Sequence, residues 1–230
     1  MTAIFAYSSP TVAFVAADTF RSVPCSPLPS VIVRKAHFWS DQVVYGQTGT
    51  QFLSRLSADI QVAKQQWTDP ITGAVYYDDS EDWLHKTFLR FQHSQQTSAI
   101  DTIGVALSNG SFLVAYVDGA GSGHGLARYD FAGGNRTRIT SQVAADGTDE
   151  KAFLDIAKKH LAAMHAASSG PVSLDTWARK CMADAIARHP KAVGWPADLL
   201  IARPDGLGGR QVIQRRINSS SAVGDPLFLG

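Results

Sequence analysis

The sequence predicts an α+β fold: a four-layer αββα sandwich in which two mainly antiparallel sheets lie face to face, each covered by a pair of helices. Three observations lead there. Short apolar segments are separated by Ser-Pro, Ser-Asp and Asn-Gly turns, so most strands are joined as hairpins. Helical periodicity appears in two separate regions, each time as a pair of segments with one apolar face. The composition, 45% hydrophobic and 18% charged over 230 residues, is sufficient for a sizeable core and excludes a disordered chain. With no repeat or linker visible, residues 1–217 form one expected domain and residues 218–230 a tail.

In chain order, Ala3–Tyr7 and Thr11–Ala17 read as two strands around a Ser-Ser-Pro turn. After the proline-rich SVPCSPLPS come VIVRKAHFW and QVVYGQTG, two more strands joined at Ser40-Asp41. Phe52, Leu56, Ile60, Ala63 and Trp67 then recur at helical spacing, and Trp83, Leu84, Phe88 and Phe91 mark a second helix. The middle block holds IDTIGVALS, SFLVAYVDG and GLARYDFAG, divided by Asn109-Gly110 and by the glycine-rich AGSGHG, which reads as a hairpin loop. A third helix begins near Thr148, with Asp149 and Glu150 in its first turn, where carboxylates favour the positive helix end. Ser173 caps a fourth, whose face is Leu174, Trp177, Cys181 and Ile186. PADLLIARPDG and RQVIQRRI close the chain as a hairpin.

A formal net charge of +1, with cations scattered apart from Arg215-Arg216, gives no footprint for nucleic acid. No apolar stretch approaches the ~20 residues of a membrane span. The V-A-A step in TVAFVAAD resembles a signal-peptide cleavage site, but no cation precedes it and Ser8-Ser9-Pro10 splits the apolar run, so the cytoplasm is the expected compartment. Cys25 and Cys181 match no metal-ligand spacing, nor do the seven histidines, and His160 and His165 do not share a helix face. No metal and no cofactor is expected. His189, at the end of a helix, reads as a partner of the helix dipole.

The opening MTAIFAYSSPTVAFVAADTFR raises a chemical possibility. A threonine hydroxyl needs a base to act as a nucleophile, and a free α-amine, with a reference pKa of about 8, can serve. If Met1 is removed, Thr2 carries both groups. Asp18 follows 16 residues later, Lys35 lies on the next long strand, and Gly49 is 14 beyond Lys35. A lysine cation would lower the pKa of amine and hydroxyl, a carboxylate would hold the lysine charged, and a glycine N–H could meet a tetrahedral oxyanion without a side chain in the way.

Those four positions and the element order resemble the N-terminal-nucleophile hydrolases of the proteasome β-subunit and HslV type, over nearly the whole chain from Thr2 to about Ile217. The resemblance implies the fold named above, Thr2, Asp18 and Lys35 as catalytic residues, and Gly49 in the oxyanion hole. The lysine fits with one extra loop residue, and Arg34 competes with it for the role. Arg21 stands one residue late relative to an arginine of many proteasome subunits and is an expected supporting residue. Gly147 and Thr148, in AADGTDE, are the nearest match to the family's G-S-G-like turn, whose serine contacts the terminal amine; Thr148 could equally be a helix cap. The family's Asp and Ser before the penultimate strand are not found in RHPKAVGWPAD, which suggests a divergent, bacterial proteasome-like branch. The implied activity is threonine-type hydrolysis of peptides or unfolded protein in a homo-oligomeric ring, with an ATPase unfoldase as a possible partner. A non-catalytic structural subunit and a small-molecule amidase are the alternatives.

Overall fold

In the computed structural model of the chain, the described residues are 2–21, 31–49, 60, 80–99, 110–117, 123–167, 173–204, 207 and 209–219. They form an α+β structure with two five-stranded antiparallel sheets and three helices. The opening hairpin consists of β1 (Ala3–Ser9) and β2 (Val12–Asp18), every residue of which is buried. Short strands β3 (Phe20–Arg21) and β4 (Val31–Ile32) pair with each other. Next come β5 (Ala36–Phe38), β6 (Val43–Gln47) and helix α1 (Glu81–Ala99). Strands β7 (Ser111–Val117), β8 (His124–Asp130), β9 (Arg136–Ile139) and β10 (Val143–Gly147) follow. Helices α2 (Glu150–Ala167) and α3 (Leu174–Arg188) precede the closing hairpin of β11 (Ala197–Pro204) and β12 (Arg210–Ile217). The first sheet has the order β10-β1-β2-β11-β12 and the second β5-β6-β7-β8-β9.

Strand alternation divides the core into three apolar layers. Phe5, Tyr7 and Phe14 point from the first sheet to α2 and α3, where Trp177 packs edge-on against all three at centroid distances of 6.4, 6.3 and 5.9 Å. The alternate residues Ile4, Ala6, Ala13, Val15 and Ala17 face Val44, Leu113, Ala115 and Leu126 of the second sheet. Small residues let the sheets approach: a Cβ on Gly46 would lie 2.7 Å from Ile4 Cγ2. On the far side of the second sheet, Tyr45, Phe112 and Tyr129 pack under Leu84 and Phe88 of α1 and under Ile60, itself helical. This layering is compatible with the expected sandwich.

α3 starts as expected, its Ser173 Oγ accepting the Thr176 N–H at 3.3 Å, and it buries Leu174, Trp177 and Cys181, with Ile186 partly covered. α2 begins at Glu150, just after Thr148, and buries Phe153, Ala157 and Leu161 at fourfold spacing. The predicted helix Phe52–Trp67 apart from Ile60, the side chain of Phe91, the predicted strand IDTIGVALS, the first half of AGSGHG (whose His124 and Gly125 open β8) and most of the tail lie outside the described residues.

Two expectations are corrected. VIVRKAHFW is not one strand: Val33–Lys35 separates β4 from β5. The cause is a change of partner within three residues. The Val33 N–H donates to Thr19 O at 2.8 Å, beside the first sheet, whereas Lys35 O accepts the Gln47 N–H at 2.8 Å in the second. The other correction is that 136–147 contains β9 and β10, two strands not anticipated. β9, Arg-Thr-Arg-Ile, is a polar edge strand without a buried face, and β10, only five residues long, ends at the Gly147 turn just before α2. β10 pairs directly with β1, from Ala3↔Gly147 to Tyr7↔Val143.

Candidate active site

Thr2 sits at the start of β1, held directly from the β10 side and, through its neighbour Ala3, from the β2 side. On the β10 side the register continues past Ala3↔Gly147 to place Thr2 opposite Thr148. The Thr148 N–H donates to Thr2 O at 3.0 Å, and the Thr2 N–H donates to Thr148 Oγ1 at 3.1 Å. Thr148 is thus a direct partner of the Thr2 nitrogen, while the cap of α2 falls to Asp149, whose Oδ1 accepts the Ala152 N–H at 3.4 Å. The turn exists because residue 147 is glycine. Its φ is +131°, a region that side-chain-bearing residues seldom adopt.

On the β2 side, Asp18 ends its strand fully buried. Its Oδ1 accepts the Ala3 N–H at 2.9 Å and Lys35 Nζ at 3.0 Å, and its Oδ2 accepts Lys35 Nζ at 3.0 Å. Lys35 also donates to Phe20 O at 2.6 Å. Burial pushes the Asp18 carboxyl above its ordinary range, against the pull of Lys35 and of the Ala3 N–H. Burial likewise pushes the Lys35 ammonium below its ordinary value, opposed by Asp18. The break at Val33–Lys35 is what delivers Lys35 here, and it separates Lys35 from its neighbour: Lys35 is 6% exposed, whereas Arg34 points to solvent. Arg34 is not the cation at this site.

Gly49 stands two residues beyond Gln47, whose N–H bonds the Lys35 carbonyl. It is exposed with φ +106°, so its backbone is bare where a side chain would be strained. Arg21 pairs through its backbone with Val31, and its side chain lies outside the described residues. Thr2 with Thr148 and Asp18 with Lys35 are two bonded pairs that meet at Ala3, which pairs with Gly147 and donates to Asp18, while Gly49 lies two residues along the chain from Gln47, the partner of the Lys35 carbonyl.

The stretch before β11, RHPKAVGWPAD, contributes backbone to the neighbourhood of Asp18. Trp195-Pro196 is cis, and Pro196 O accepts both the N–H and the Oγ1–H of Thr19, at 3.0 and 2.7 Å. This anchors the residue that follows Asp18. His189 caps the end of α3 and places Nε2 3.2 Å from Asp149 Oδ2, so its partner is a carboxylate beside Thr148 as well as the helix end. Cys181 is a buried free thiol, its pKa pushed up by burial, and Cys25 lies outside the described residues. No group of three or more His, Cys, Asp or Glu among the described residues is placed to hold a metal ion. No described helix is long and apolar enough to cross a membrane.

Sequence reasoning missed one group beside this site. Asp146, Ser111 and Thr48 are buried polar residues linked by hydrogen bonds. The one signal for them is parity: once β10 is accepted as a strand, Asp146 falls on the same face as Ala144, an unusual place for a carboxylate.

Comparison of the chain with protein-family models found no match, and comparison with curated proteins found none either.

Proposed function

We propose that the chain is a threonine-type amide hydrolase, most directly a peptidase, with the fold of the N-terminal-nucleophile hydrolases and Thr2 as its nucleophile once Met1 is removed. The observation that carries this reading is the sharing of Asp18 Oδ1 between the Ala3 N–H and Lys35 Nζ. It ties the cation to the first peptide of the chain in a buried setting, where charge acts strongly on neighbouring groups.

In this reading the Thr2 amine takes the proton of Thr2 Oγ as the oxygen attacks the substrate carbonyl. Lys35 holds down the pKa of the amine and favours the attacking alkoxide, and Asp18 fixes Lys35. The Gly49 N–H receives the tetrahedral oxyanion. Collapse passes the amine's proton to the leaving nitrogen and leaves an ester on Thr2, which water hydrolyses with the amine again as base. Thr148 Oγ1 orients the amine through the contact it already makes with the Thr2 nitrogen. The same reading takes the substrate to be a peptide or unfolded chain, the compartment to be the cytoplasm and the working form to be a homo-oligomer served by an ATPase unfoldase.

Neither an Asp nor a Ser occupies the turn before β11 in the family's pattern, and this favours a second reading, a structural subunit without catalysis. Intact-mass measurement with Thr2→Ala separates the two. Catalysis requires a mature chain that begins at Thr2, and Thr2→Ala should abolish hydrolysis while the fold persists. Thr2→Ser should keep part of the activity. Full turnover by Thr2→Ala would end the nucleophile reading, and a chain that retains Met1 would favour the structural subunit.

A further inference from the structure

The site has a tie that the chemistry above does not use. Asp146 pairs with Ile4 across β10 and β1 and shares its face, which is the layer between the sheets. It is 3% exposed, a carboxylate set at the end of an apolar layer. Burial raises its pKa, and hydrogen bonding by Ser111 and the Arg128 guanidinium act against that. Oδ1 accepts the Gly147 N–H at 2.7 Å, and Oδ2 accepts the hydroxyl of Ser111 at the start of β7. Ser111 Oγ lies 2.8 Å from Thr48 Oγ1. The same two residues are joined again, since the Thr48 N–H donates to Ser111 O at 2.9 Å and the Ser111 N–H donates to the Thr48 side-chain Oγ1 at 3.2 Å.

Donor accounting gives this chain a direction. Ser111 has one hydroxyl proton, given to Asp146, so the 2.8 Å bond between the hydroxyls is donated by Thr48, whose other acceptor, Ser111 O, is farther away at 3.5 Å. Thr48 to Ser111 to Asp146 is thus a continuous relay in which each bond polarises the next. Its two ends matter. Thr48 precedes Gly49, the candidate oxyanion donor just past the end of β6 in the second sheet. Asp146 precedes Gly147 and Thr148, which hold Thr2 on the first sheet.

We infer that Asp146 and Ser111 are positioning residues that set the separation between the Thr48–Gly49 strip and the Gly147–Thr148 strip, and so between oxyanion donor and nucleophile. The inference rests on the threonine-hydrolase reading. It has a clear physical motive, because the two strips adjoin different sheets, joined nearby also by Lys35 between Gln47 and Asp18 and by Arg128 3.8 Å from Asp146, and a productive site must be held to within about 0.5 Å.

The test uses the full-length chain. Asp146→Asn and Ser111→Ala should each lower kcat about 10- to 100-fold with KM unchanged, because the contact they align is made in the transition state. The double variant should be no worse than the poorer single one, the mark of residues acting as a unit. Thr48→Val should show the same loss and Thr48→Ser should restore kcat to within about threefold, since serine returns the hydroxyl. Should Asp146→Asn fail to fold, Ser111→Ala and Thr48→Val carry the test. Hydrogen exchange supplies a readout independent of turnover: these variants should speed exchange at 48–49 and 147–148 together. Wild-type kcat in Asp146→Asn alongside an inactive Thr2→Ala would overturn the inference alone, as would faster exchange confined to one strip. A wild-type protein without Thr2-dependent hydrolysis would sink the functional reading and the positioning role with it, while the exchange result would still decide whether the relay couples the two strips.

Discussion

Gly147 and Thr2 fit so closely that a Cβ built on Gly147 would stand 2.0 Å from the Thr2 carbonyl oxygen. That oxygen accepts the Thr148 N–H, so residue 147 closes the turn that brings Thr148 onto the Thr2 nitrogen. Gly147→Ala meets two obstacles: a φ of +131° and an obstacle made of backbone, which cannot swing aside as a side chain could. Left-handed strain and overpacking together should cost about 2–5 kcal/mol. Denaturant titration measures this directly. A loss below ~0.5 kcal/mol would mean that β1 and β10 do not meet as described.

Lys35 and Arg34 offer a direct comparison of adjacent cations. Lys35→Met should cost at least ~10²-fold in rate, the low end for a positioned acid–base element. It also strands a buried Asp18 without its partner, at about 3–5 kcal/mol of stability. Arg34→Met, at an exposed position, should stay within about threefold in rate. Rates should be taken on protein shown by circular dichroism to be folded. The reverse order of effects would place the catalytic cation at Arg34.

Acid should weaken the fold through His37. Burial and then the nearby Arg34 charge push its pKa down to about 4, with Asp198 acting the other way, and its ring stacks on Tyr45 at 5.4 Å. A depressed folded pKa means that the unfolded chain binds the extra proton between about pH 6.5 and 4. The stability is therefore fully present above that window and is lost as pH falls through it. The loss should be roughly 3 kcal/mol in all. His37→Phe keeps the stacking and should flatten the pH dependence of stability across that window. An unchanged slope would show that other groups carry it.

Assembly can be tested by light scattering. The chain is proposed to form a closed homo-oligomeric ring of roughly a dozen or more subunits, with α1 among the contact surfaces; Leu89 of α1 is 36% exposed, and near-zero net charge does not oppose self-association. A particle of several hundred kilodaltons is expected. A stable monomer near the chain mass of 24.7 kDa at micromolar concentration would remove the ring and favour a small-molecule amidase.

Much of this protein is legible along the chain. The hairpin β1–β2, helices α1, α2 and α3 and the hairpin β11–β12 follow from local pattern, because each buries an apolar face whose period is set by its own backbone geometry. The spacing singled out Asp18 and Lys35, which the structure joins as a buried pair, and Thr2, whose neighbour Ala3 donates its N–H to the same carboxylate. Pairing between strands distant in sequence was not legible. Nothing local in Val143–Gly147 says that it will lie beside Ala3–Tyr7, yet that pairing carries Thr148 to Thr2 across 146 residues. The choice of Lys35 over Arg34 depended on where VIVRKAHFW breaks, and the break arises because its backbone serves two sheets in succession. The Thr48–Ser111–Asp146 relay depended on two sheets meeting, and single polar residues in apolar strands carry no mark of their partners. Local periodicity determined which segments form and which face each buries; tertiary packing alone decided which polar groups share a buried space, because a hydrogen bond between sheets exists only after both have been placed.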